Sequence, residues 1–103
     1  MAGPRVLRRG EIWRIQGARD RLGLVLSSDL YNSTDVPIVV VVEVVEEEAL
    51  RDSPLAVPMG DLVIMPDRLS SPMKKWFTDL VEVADAETMN RVARALKIIQ
   101  DLP

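Results

Sequence analysis

The sequence predicts a small, mainly β (α+β) fold: a strongly bent sheet or barrel with one C-terminal helix packed on it. Three observations lead there. Six short runs of alternating or β-branched residues follow one another at close spacing. The last stretch changes to a helical period. The chain has 103 residues, 48% hydrophobic and 28% charged, the size and balance of a single domain covering residues 1–103.

Glu11-Ile12-Trp13-Arg14-Ile15-Gln16 alternates apolar and polar residues, the pattern of a half-buried strand. Leu22–Leu26 is a short apolar run bounded by charge, which predicts a strand buried on both faces. Ser28–Thr34 is polar and turn-rich, with room for one helical turn. Pro37–Val45 holds six valines in nine positions, and β-branched side chains favour an extended backbone. Pro54–Met59 and Leu62–Met65 are two further strands, with Gly60-Asp61 as a tight hairpin turn. Ser70–Trp76, with Pro72 and two lysines, predicts a loop or a short helical turn. Phe77–Val83 alternates and makes the sixth strand. Asp85 is a good N-cap, and Glu87 suits the positive end of the helix dipole. Met89, Val92, Ala93, Leu96 and Ile99 recur at helical spacing, so a helix runs from Ala86 to about Asp101 with that stripe on the sheet. Pro103 closes the chain.

Composition excludes whole classes of chemistry. The chain has no cysteine and no histidine. Disulfides, thiolate and imidazole metal sites, cysteine nucleophiles and Ser-His-Asp triads are ruled out. No metal or cofactor is expected, and catalysis would fall to arginine, lysine, carboxylates, hydroxyls or backbone amides. The longest apolar run, Val36–Val42, is too short to span a bilayer, and no apolar segment follows the basic N-terminus, so a cytoplasmic protein without a membrane anchor is expected. The net charge of −3 is unevenly spread. Residues 1–21 carry six basic side chains (Arg5, Arg8, Arg9, Arg14, Arg19, Arg21) and two acidic ones, whereas Glu43–Asp61 carries six acidic side chains against Arg51. Two solvated faces would explain this; a local basic patch for a polyanion would explain the first half as well.

Several motifs resemble the MazF/PemK (Kid) toxins of toxin–antitoxin modules. Arg9-Gly10-Glu11-Ile12-Trp13 is similar to that family's opening. Arg21-Leu22-Gly23-Leu24-Val25-Leu26-Ser27 resembles its arginine-led second strand, with Asp29 and Asn32 in family-like places. The valine strand, Asp61–Ser70 and the final helix follow in the family's order, so the resemblance spans nearly the whole chain. It implies an SH3-like barrel of the MazF and CcdB type, a homodimer, and a metal-independent, sequence-specific endoribonuclease acting on single-stranded RNA. In that chemistry a ribose 2′-hydroxyl attacks the adjacent phosphate, leaving a 2′,3′-cyclic phosphate and a 5′-hydroxyl. A cognate antitoxin would neutralise it through an extended acidic segment on the basic ground of Arg8, Arg9, Arg14, Arg19 and Arg21.

By the same resemblance Arg21 is the catalytic arginine, its guanidinium suited to grip two phosphate oxygens. Asp67 matches an acidic residue that serves as acid or base in some members. A surface arginine and a turn-capping aspartate are the plain alternatives. RNA contacts are expected at Glu11, Arg14, Arg19, Ser70, Ser71, Lys74 and Lys75. Trp13 is read as core. The departures are specific. Leu22 replaces the family proline, and the first loop shrinks to Gly17–Asp20. Val44 falls where a catalytic hydroxyl is expected, with Glu43 and Glu46 nearby. Met65 replaces an arginine, and Ser70-Ser71 an Arg-Thr pair. They leave a second function open: a non-catalytic protein of this fold that engages an antitoxin, RNA or a topoisomerase. A CcdB-like topoisomerase poison is disfavoured, because the chain ends Ile99-Gln100-Asp101-Leu102-Pro103 and lacks the Trp-Gly-Ile-type ending that makes that contact.

Overall fold

The computed structural model describes residues 6–101; Arg5 and Pro103, used above, lie outside them. The elements are β1 (Glu11–Ile15), β2 (Arg21–Val25), α1 (Asp29–Asn32), β3 (Val41–Val45), β4 (Val57–Met59), β5 (Leu62–Ser70), β6 (Phe77–Val83) and α2 (Ala86–Asp101). Short 3-10 turns lie at Glu48–Asp52 and Lys74–Trp76. All strands pair antiparallel in one six-stranded half-barrel sheet of order β4-β5-β3-β2-β1-β6. The expected mainly β fold with a C-terminal helix is what the chain forms.

β2 buries side chains on both faces because both faces of the sheet are covered. Leu22 and Leu24 join Ile12, Val42, Val44 and Ile64 in a core shared with Val92 of α2. Val25 joins Ile15, Val41, Leu7, Val39 and Phe77 on the other side, rimmed by Trp13 and Trp76. Gly23 permits that second core. A Cβ there would stand 2.7 Å from Ile15 Cδ1 and 3.1 Å from Val41 Cγ2. Gly60 opens the β4–β5 turn at φ 58, and Met59 faces Leu62 across it. A positive φ at the first turn residue alone is the pattern of a type II′ hairpin, where glycine is preferred.

Four expectations need correction. β3 starts at Val41, not Pro37: Ile38 bridges Met73 and the Val39 N–H donates to Pro72, so this stretch pairs with the β5–β6 connection. β4 is confined to Val57–Met59 because the chain turns just before it, where the Ala56 N–H donates to the Ser53 carbonyl at 3.1 Å. β5 does not stop at Met65 but continues to Ser70. Val42 faces Leu69 while Glu43 faces Met65, so Pro66, Asp67 and Arg68 bulge out of the ladder. A bulge is one place where a strand tolerates proline. On α2 the buried line is Thr88, Val92 and Ala95, with Met89 and Leu96 packed beside it; Ala93 is exposed. It sits one helical step of about 100° away from Val92.

The N-terminus of α2 is capped as read. Asp85 accepts a hydrogen bond from the Thr88 N–H at 2.7 Å. Hydrogen bonding from Thr88 holds the Asp85 carboxyl below the usual carboxylate range. Among the described residues, no helix is long and apolar enough to cross a membrane.

Candidate functional site: an arginine-lined groove

Side-chain alternation along β2 puts Arg21, Gly23 and Val25 on one face. Pairing of Gly23 with Glu43 brings Glu43 and Val41 of β3 to the same face. The β1–β2 turn adds Arg19 and the β5 bulge adds Arg68. Arg19, Arg21, Val41, Glu43 and Arg68, together with Leu22, Leu69 and Ser70, line an open groove of about 270 Å³. A second depression of about 220 Å³ adjoins it, lined by Arg14, Asp20, Glu46 and Glu47 as well as the shared Arg19, Arg21 and Glu43.

Glu43 lies between two guanidinium groups. Arg19 Nη2 is 3.4 Å from Glu43 Oε2, and Arg68 Nη1 is 3.8 Å from Oε1. The Glu43 side chain is 17% exposed, whereas those of Arg19 and Arg68 are 67% and 43% exposed. Both pairs are therefore loose and screened by water. Arg21 is half-buried and makes no ion pair among the described residues. The groove thus offers three cations to a phosphate and one carboxylate to a proton.

The site residues expected from sequence divide into groups. Arg19, Arg21 and Ser70 share the groove, and Ser71 is exposed one residue beyond it. Arg14 lines the adjoining depression and lies 3.9 Å from Asp79 of β6. Asp67 is exposed but lines a different depression of about 340 Å³, with Leu50, Leu55, Met65 and Arg68, so it and Arg21 are not brought together. Glu11 accepts from the Arg8 N–H at 2.8 Å and from Trp13 Nε1 at 3.0 Å, pinning the first turn onto β1. Lys74 Nζ donates to the carbonyls of Asn32 and Thr34, both at 2.8 Å, and so ties the end of α1 to the β5–β6 connection. Lys75 is exposed beside it. Val44 is 2% exposed in the helix-side core, pointing away from the face that carries Arg21.

The basic ground is also split. Arg9 Nη1 donates to the Leu26 carbonyl at 2.7 Å, just past the far end of β2 from Arg21. Arg8 and Arg9 are therefore a strand length away from Arg19 and Arg21. Sequence reading missed Arg68 because its partner depends on the bulge. Glu43 did carry a signal, as the one charge inside the valine run.

No family model matches the sequence, and no curated protein is similar to it in sequence. Solved structures are similar in fold. An endoribonuclease from a mycobacterial species superposes with a TM-score of 0.82 at 23% identity, covering 96% of this chain and 95% of that one. A mycobacterial endoribonuclease in complex with its cognate antitoxin gives 0.78 at 23% identity, over 95% and 96%. A MazE–MazF complex from Deinococcus radiodurans gives 0.81 at 19% identity, over 95% and 99%. The chain carries the fold of the MazF toxins along almost its whole length.

Proposed function

We propose that this protein is the toxin of a toxin–antitoxin module, a metal-independent endoribonuclease that cuts single-stranded RNA at specific sequences. The convergence of Arg19, Arg21 and Arg68 on one groove carries this reading, because these side chains come from three separate parts of a MazF-type sheet. A phosphodiester in the groove meets a charge it can bind. Arg21 then supports the extra negative charge of the phosphorane formed when the 2′-hydroxyl attacks. Ser70, Arg14 and Arg19 hold the strand on either side. Asp67 reaches RNA where the strand continues over Arg68 into the neighbouring depression.

The working unit of this reading is a cytoplasmic homodimer. Leu80, Val81 and Val83 expose apolar surface on the edge strand β6, where a second copy would cover it. The partner is an antitoxin whose acidic segment competes with RNA for the arginine-lined groove.

Controlled expression followed by mapping of 5′-hydroxyl RNA ends tests the reading. The parent protein should generate new ends at a recurring sequence, and the purified protein should reproduce them in EDTA. Absence of cleavage across a mixed RNA pool at high protein concentration would leave the second reading, a non-catalytic protein that binds antitoxin or RNA. The burial of Val44 favours that second reading, since position 44 can supply no hydroxyl to the groove.

A further inference from the structure

We propose that Glu43 is the base that takes the 2′-hydroxyl proton, and that Arg19 and Arg68 mask it until RNA arrives; this rests on the endoribonuclease reading. Among the described residues lining the groove, Glu43 is the only carboxylate. Its neighbours Val42 and Val44 turn into the core, and strand alternation sends Glu43 to the opposite face, where it lines the groove. Its backbone is fixed between Gly23 of β2 and Met65 of β5, which holds the carboxylate on the Arg21 side of the sheet.

Charged groups face Glu43 from every neighbouring element. Arg19 comes from the β1–β2 turn, Arg21 from the start of β2 and Arg68 from the β5 bulge. Arg14 of β1, Asp20 of the β1–β2 turn, and Glu46 and Glu47 lie further along in the adjoining depression. The two ion pairs, at 3.4 and 3.8 Å, are long and water-exposed. A phosphodiester offers the same guanidinium groups a bidentate partner. Once RNA takes Arg19 and Arg68, Glu43 loses its counter-charges and gains an anion beside it. The carboxylate is then free to accept a hydrogen bond from the 2′-hydroxyl.

The reaction then balances without a further reagent. A Glu43 oxygen accepts the 2′-hydroxyl proton as the 2′-oxygen forms its bond to phosphorus. The bond from phosphorus to the 5′-oxygen breaks, and its electron pair leaves on that oxygen, which takes a proton from water. Glu43 returns its proton to the hydroxide so formed. The products are a 2′,3′-cyclic phosphate and a 5′-hydroxyl, with Arg21 left on the phosphate throughout.

Single-turnover cleavage of a short RNA bearing a site cut by the parent, measured in EDTA from about pH 5 to about pH 9, decides the matter. Glu43→Gln should cleave at least about 10²-fold more slowly and lose the acidic limb of the profile. Its affinity for the same RNA carrying a 2′-O-methyl group at the cleaved nucleotide should stay equal or tighten, because a competing anion is gone. Arg68→Ala should weaken that binding and keep the acidic limb. Glu43→Asp, with its shorter reach, should keep the limb at an intermediate rate, and it carries the test if the glutamine variant fails to fold. A parent that cleaves RNA alongside a Glu43→Gln variant with the same rate and limb overturns this inference alone. So does a variant whose rate falls only in step with lost binding. A parent that cleaves nothing overturns the endoribonuclease reading itself.

Discussion

In the proposed endoribonuclease reading Arg21 carries the phosphate chemistry, and its surroundings support that role. It is half-buried at the rim of a groove that it shares with a carboxylate, yet that carboxylate pairs with Arg19 and Arg68. Arg21→Ala should lower single-turnover cleavage by about 10²–10³-fold, as loss of a preorganised charged donor commonly does. Arg21→Lys should recover part of it, since an ammonium cannot make the planar two-point contact. Gly23 matters for a different reason. Ile15 and Val41 occupy the space a side chain would need. Gly23→Ala should destabilise the fold by about 1–3 kcal/mol through overpacking, seen as a lower urea midpoint. Val44 shows how one residue's offset along a strand misleads. Counting from Arg21 places it at the family's hydroxyl position, but it is core, and the neighbouring Glu43 faces the groove. Val44→Thr should leave cleavage no faster and should cost about 1–3 kcal/mol for an unpaired buried hydroxyl, checked by the same two measurements.

Among the elements, those with a strong period were legible in the sequence. The valine run, the Gly60-Asp61 hairpin and the capped terminal helix announce themselves through local side-chain chemistry. The bulge did not. Pro66 reads as the end of a strand, because proline removes a ladder donor, and nothing local says that pairing resumes at Leu69. That gap hides Arg68, and with it half of the ionic surroundings of Glu43. Ala93 was misplaced for a milder reason: alanine fits either side of a helix, and contact with the sheet selects Ala95. Helix α2 also carries a pH signature. The folded state holds the Asp85 carboxyl below its ordinary value, so its contribution is present above the unfolded value and fades as pH falls through the lowered one. Asp85→Asn should lower the melting temperature near neutrality. The gap to the parent should close as the pH drops below about 4.

At the scale of the molecule, the sheet is open and its two edges differ. β4 is short, while β6 presents Leu80, Val81 and Val83 to solvent. The alternation that marks Phe77–Val83 as a strand does not become a buried face: only Phe77 is buried. Leu80, Val81 and Val83 meet no covering layer among the described residues, which is why an inward pattern appears on an outward strand. The protein should sediment as a dimer at micromolar concentration, and Val83→Lys should shift it to monomer without altering its circular dichroism.

The ladder between β1 and β6 joins the first and last strands, and this bears on how a cell makes the protein. β1 leaves the ribosome early; its partner follows after most of the groove has been synthesised. Until Phe77–Val83 emerges, β1 offers a bare hydrogen-bonding edge, and Ile15 lacks the cover of Phe77. Closure over so long a contour is slow relative to local hairpin formation. A translation product cut short before Phe77 therefore has the arginines of the groove but lacks the side chain that completes the core behind them.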